Sequence, residues 1–237
     1  MSFETNTNTA QSQTQNIDVG LQTHMQKVYN TMGVGLVITG IVAYFTANTP
    51  ALYNLIFGTN LRFIAIFAPL AVIYFGFTPA RISKMSPTKV RGIFFVLAVL
   101  YGLSFATIFH VYTADSIARV FFITAGMFAG TSLYGYTTKK NLASMGSFMT
   151  MGLIGILIAS VANMFIESSM MQFVISIIGV VVFTGLTAWD TQRIKETYAI
   201  SHGRDTNDKM AVMGALSLYL NFVLLFQMLM NLFGGRE

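Results

Sequence analysis

Seven long apolar blocks limit what this chain can fold into. They run roughly over Val28–Ala47, Leu61–Phe77, Gly92–Val111, Ile117–Tyr136, Ser147–Phe165, Met171–Trp189 and Ala211–Phe233. Each approaches the roughly 17–25 residues a helix needs to cross a bilayer. Lipid offers the backbone no hydrogen-bond partners, so a crossing segment must be a helix or a barrel strand. Blocks this long, apolar on every side, are helices. The pattern predicts an all-α integral membrane protein, a bundle of seven transmembrane helices. The second block is the shortest, which leaves room for one of the first two to be re-entrant.

Composition agrees. Of the 237 residues, 54% are hydrophobic and 10% charged, where a soluble domain carries about 25% charged residues. A chain with so few charges cannot build a solvated shell. There is no cysteine, which excludes a disulfide framework and thiolate metal sites. Residues 1–27 are polar and rich in Thr, Asn and Gln, and they lack the apolar run of a signal peptide. They read as a disordered cytoplasmic tail, with residues 28–237 forming the transmembrane domain. Of the connections, only Asp190–Met210 is long enough for structure of its own.

The basic residues are unevenly divided. With seven spans, the tail and loops two, four and six share one side. That side carries Lys27, Arg81, Lys84, Lys89, Arg91, Lys139, Lys140, Arg193, Lys195, Arg204 and Lys209; the other carries Arg62, Arg119 and Arg236. The positive-inside rule then puts the N-terminus in the cytoplasm and the C-terminus outside.

Polar groups within the spans are costly, so the few present are informative. A charge at mid-membrane costs about 2.5–3.5 kcal/mol on insertion scales. In the last block Ser217, Asn221, Gln227 and Asn231 fall on one helical stripe, which should face other helices or water. Two readings fit it: interhelical hydrogen bonding or the lining of a pathway. Asp190 directly follows some twenty apolar residues. It reads either as a partly buried carboxylate, able to bind a cation or sense protons, or as an interfacial group paired with nearby Arg193. Small residues at helix-packing spacing, Gly126-x-x-x-Gly130 and Gly155-x-x-x-Ala159, would let helices approach closely.

Several chemistries lack their residues. The last span has no lysine for a retinal Schiff base. Gly102-Leu103-Ser104 has the look of an intramembrane serine nucleophile, but His110 lies six residues along the same helix, about 9 Å by the helix rise. No His-Glu-x-x-His or phosphate-loop motif occurs, and no cofactor is called for. The chain reads as neither an enzyme nor a nucleic-acid binder.

Two motifs resemble a known family. Thr187-Ala-Trp189-Asp190-Thr-Gln-Arg193-Ile-Lys195 is similar to the signature ending the sixth helix of the Bax inhibitor-1 (transmembrane Bax inhibitor motif) family. Gly214-Ala-Leu-Ser-Leu-Tyr219-Leu-Asn221-Phe is similar to its seventh-helix signature. The resemblance covers the chain after the tail and looks bacterial, which implies an inner-membrane protein. It implies six helices around a central seventh, and a pH-sensitive calcium leak; eukaryotic members are associated with suppression of cell death. In the family's leak mechanism two aspartates share a proton and a basic residue after the second helix latches the closed state. Carried over, the gate and pathway residues are Asp190, Asn221, Arg81 and Ser217, with Asp190 a candidate metal ligand. The chain departs from the pattern at Asn221, which stands where the second aspartate is expected. Asparagine hydrogen-bonds a carboxylate but neither titrates nor adds charge, which undercuts the pH gate and weakens attraction for Ca2+. Besides the lipid bilayer, the implied partners are Ca2+ or another cation, or, if the chain is a non-conducting regulator, another membrane protein such as a membrane protease.

Overall fold

In a computed structural model the described residues are 3–235, with side chains described for 19–199 and 201–235. The described residues are helical throughout, without a strand. In chain order the helices are α1 (Phe3–Asn48), α2 (Pro50–Phe57), α3 (Leu61–Gly76), α4 (Pro79–Ile82), α5 (Pro87–Phe105), α6 (Ile108–Val111), α7 (Ala114–Thr137), α8 (Ala143–Ile166), α9 (Ser169–Thr197) and α10 (Arg204–Phe233).

Local sequence explains many of the boundaries. α2, α4 and α5 each have proline in the first turn, where its missing N–H costs nothing and its fixed φ suits the helix. Thr113 and Ser168 cap α7 and α9 by accepting hydrogen bonds from Ser116 N and Met171 N. Gly203, at φ +73°, turns the chain into α10, a conformation that glycine adopts without strain.

Six helices are long and apolar enough to cross a membrane: Val19–Asn48, Pro87–Val111, Ala114–Thr137, Ala143–Ile166, Ser169–Thr197 and Arg204–Phe233. A seventh span requires α2 and α3 to act together, and these are bent by 79° to one another. The re-entrant or broken element is therefore the second block. The first is not short, because residues 19–27 of the tail expected to be disordered continue α1, with His24 and Met25 buried. The sixth loop is also shorter than expected. α9 runs to Thr197 and α10 begins at Arg204, leaving a turn that holds the 3-10 segment Ile200–His202. Met1, Ser2, Arg236 and Glu237 lie outside the described residues, as do the side chains of residues 3–18.

Most of the outer surface is apolar. Phe122, Phe148, Met151, Phe165 and Met170 are each largely exposed, and α8 has only 6% of its most apolar 18-residue stretch buried. Such a surface belongs in lipid rather than water. The interior is organised on α10, where the corresponding figure is 72%. α10 packs chiefly on α1, α5, α7 and α9, while α8 packs on α9 and α3 on α5. Tyr219, Leu218, Leu225 and Met230 of α10 are fully buried.

Close helix contacts are made at glycines other than the paired ones. A Cβ on Gly135 would strike the backbone of Ala188, joining α7 to α9, and one on Gly102 would meet Thr39 O at 2.8 Å, joining α5 to α1. Gly126, Gly130 and Gly155 have open space where a Cβ would sit. The spacing motifs therefore do not mark the helix seams, because spacing alone does not say which face of a helix is covered.

Candidate functional site

The last two turns of α9 form the polar centre of the bundle. Asp190 is buried at 6% exposure, facing Asn221 of α10, also at 6%. Asn221 Nδ2 donates to Asp190 Oδ2 at 2.8 Å. One turn along α9, Arg193 Nη2 lies 2.8 Å from Asp190 Oδ1. That oxygen has no hydrogen-bond partner, so Arg193 contributes an ion pair without an aligned N–H. The carboxylate is thus held by a neutral amide on one oxygen and by a positive charge on the other.

Arg193 belongs to two environments. Its guanidinium carbon sits 4.6 Å over the Trp189 ring, and Nη2 reaches Ser217 Oγ at a long 3.4 Å. Its side chain is half exposed and borders a cavity of about 150 Å3 shared with Ser217 and His24. Arg193 therefore stands between this cavity and Asp190. Both sequence readings of Asp190 capture part of the arrangement: it is buried, and it is paired with Arg193.

The rest of the signature anchors α9. Gln192 Oε1 accepts from Leu142 N and Nε2 donates to Lys140 O, both at 2.8 Å, clamping the α7–α8 loop. Thr191 Oγ1 lies 3.0 Å from Ser132 Oγ, which in turn lies 2.6 Å from Tyr29 Oη, so a hydroxyl chain ties α9 to α7 and α1. Lys195 Nζ donates to Tyr136 O at 2.8 Å. The residue types alone hinted at polarity here but not at these partners, which come from other helices.

The polar stripe of α10 is divided. Asn221 turns to α9 and Ser217 to the small cavity. Gln227 and Asn231 line a separate cavity of about 340 Å3 with Ser104, Tyr101 and Tyr112 of the α5–α6 region. Within it Tyr112 Oη donates to Asn231 Oδ1 at 3.3 Å. Ser104 Oγ is engaged with the carbonyls of Ala65 and Leu100, at 2.5 and 3.0 Å. His110 stacks on Tyr53 at 4.0 Å between centroids, so the serine has no base beside it.

Arg81 is exposed on α4, and among the described residues the ion pair of Asp190 is with Arg193. Arg193, rather than Arg81, is the basic residue beside Asp190 in this structure. The reason lies in the chain itself: Arg193 is i+3 to Asp190 on one helix face. Asp208 does more than solvate its loop, since it pairs with Lys27 at 2.7 Å. Among the described residues no three His, Cys, Asp or Glu side chains come together, and Asp190 is the single carboxylate of its cluster. Ca2+ takes 6–8 oxygens, which the cluster does not offer as a resident site.

Apolar helices facing lipid, with one buried carboxylate shared between two of them, define a polytopic integral membrane protein with a polar site in its interior. The sequence matches the family described as Inhibitor of apoptosis-promoting Bax1 over residues 21–237. It is 43% identical to a protein of Rickettsia prowazekii (strain Madrid E) over 98% of both chains. It is 44% identical to the inner membrane protein YbhL of Escherichia coli (strain K12), over 92% of this chain and 94% of that one. A protein of Borreliella burgdorferi is 41% identical over 90% of this chain and 92% of its own. The chain belongs to the Bax inhibitor-1 family.

Proposed function

We propose that this chain is a cation leak pathway of the bacterial inner membrane, with its gate at Asp190, Asn221 and Arg193. The carrying observation is that Asp190 is buried among apolar helices and joined to two groups that can let go of it. A buried carboxylate in a membrane is a functional hypothesis by default. Two cavities support the reading: one beside Arg193 and Ser217, the other beside Gln227 and Asn231. Ser217 and Gln227 are ten residues apart on α10, about 15 Å by the helix rise. Between them the stripe carries Asn221 and the half-buried Leu220 and Leu224, which would close the path at rest. In this reading α10 is the central seventh span, α2 with α3 makes the second, the N-terminus is cytoplasmic and the C-terminus lies outside. Arg81 then has no role at the gate unless the helices rearrange. The inner-membrane placement follows the relative YbhL, whose name states it.

Asn221 sets this chain apart from a two-aspartate gate. Only one member of the pair can ionise, so the proton shared in the family's mechanism has no second carboxylate. The pathway is proposed to open by release of Arg193 rather than by titration of a pair. A calcium-dye flux assay in liposomes tests this. Wild-type flux that is lost in Asp190→Ala supports the leak; flux found only in Asn221→Asp rejects it for this chain.

The second reading is a non-conducting regulator of another membrane protein. It is favoured by the same substitution, together with the neutralisation of Asp190 by Arg193. A stoichiometric partner recovered by cross-linking in membranes, with no flux in the liposomes, would establish it.

A further inference from the structure

The gate leaves Arg81 unused, and its surroundings point elsewhere. Between Asp18 and Asp115 the chain contains no acidic residue, yet the α4–α5 segment carries Arg81, Lys84, Lys89 and Arg91 within eleven positions. All four are exposed, and among the described residues none is held in an ion pair. Beside them α3 and α5 part to form an open groove of about 630 Å3, the size of a ligand cavity. Its walls are apolar, with Val72, Phe75, Ile93 and Val96, and the charged residue lining it is Lys89. A groove with apolar walls and a cationic rim matches one kind of molecule, with an acyl chain at one end and a negative headgroup at the other.

We propose that the groove between α3 and α5 binds an anionic phospholipid of the surrounding bilayer, its acyl chain against Phe75 and Val96 and its phosphate on Lys89, Lys84 and Arg81. Two observations carry this beyond a general excess of positive charge. First, the groove is unfilled at Gly92, where a Cβ would meet nothing within 4 Å; the missing side chain keeps the groove open and is not required for packing. Second, Lys209 at the start of α10 donates from Nζ to Ser83 O at 3.1 Å. The basic segment is thereby joined to the helix that carries Asn221, and a lipid held there would fix the end of α10. Basic pockets between helices at a membrane surface are a known way of holding anionic headgroups.

The test is native mass spectrometry of the whole detergent-purified chain, titrated with a phosphatidylglycerol and with a phosphatidylcholine of the same acyl chains. The expected result is at least about tenfold tighter binding of the phosphatidylglycerol, given several cations at the headgroup. Lys84→Gln with Lys89→Gln should abolish that preference. Gly92→Phe, which fills the groove but keeps the cations, should lower binding of phosphatidylglycerol at least about fivefold. Lys139→Gln with Lys140→Gln, equally basic but away from the groove, should leave it unchanged. Equal binding of the two lipids by the wild type would overturn the proposal. So would undiminished binding by a folded Gly92→Phe, an equal loss in the Lys139/Lys140 variant, or competition by glycerol phosphate as effective as by the lipid.

Discussion

Asn221 of α10 donates a 2.8 Å hydrogen bond to Asp190 of α9, with both side chains buried. This bond joins the two signatures of the chain across a seam of apolar side chains, beside the longer Arg193–Ser217 contact. Truncating the donor in Asn221→Ala leaves Asp190 Oδ2 without a partner. The expected loss is about 1–3 kcal/mol, the cost of an unsatisfied buried group, read as a lower midpoint of thermal unfolding in detergent.

Asn221→Asp changes the sign of the interaction instead of removing it. Two carboxylates at hydrogen-bond distance repel when both are ionised. The variant should be less stable than wild type at neutral pH and recover towards it in acid, where one proton bridges the pair. Unfolding midpoints measured from about pH 5 to pH 8 check this: the gap between variant and wild type should widen as pH rises.

Gln192 uses both ends of its amide on the α7–α8 loop. Gln192→Ala leaves Leu142 N without its partner, and should cost about 1–3 kcal/mol. The loop should loosen first. Trypsin should then cut after Lys139 or Lys140 well before it cuts the wild type, with cleavage followed by mass spectrometry.

The glycines give a paired prediction. Gly135→Ala forces a methyl group against the Ala188 backbone and should destabilise by about 1–3 kcal/mol, as overpacking does. Gly126→Ala enters open space and should be neutral or stabilise by about 0.5–1 kcal/mol through helix propensity. Thermal unfolding of the two variants side by side decides it.

The sequence made some of this legible and hid the rest for physical reasons. Six spans follow from hydropathy because the faces turned to lipid and the faces packed on other helices are both apolar. The second block is short in the sequence, but the 79° bend between α2 and α3 depends on packing that the apolar pattern does not encode. In sequence Asp190 stands out as an acid directly after an apolar run, Asn221 as part of a polar stripe, and Arg193 only as a nearby basic residue. Residues 19–27 read as tail because they are polar, yet a polar stretch continues a helix when one face, here His24 and Met25, finds a core to pack on. The Gly126 and Gly155 motifs do not mark seams, because small residues also occur on lipid-facing surfaces. The partners that Gln192, Thr191 and Asp208 find on other helices and loops lie 50 or more residues away in sequence, beyond the reach of any local pattern.

In the proposed pathway Asp190 gates cation passage and Arg193 holds it shut. The most direct measurement is calcium flux into liposomes for wild type, Arg193→Gln and Asp190→Ala, reconstituted at equal density. Arg193→Gln frees the carboxylate of its counter-charge, so its flux should exceed the wild-type rate, while Asp190→Ala should fall to that of empty liposomes. Equal rates for all three proteins would contradict the account.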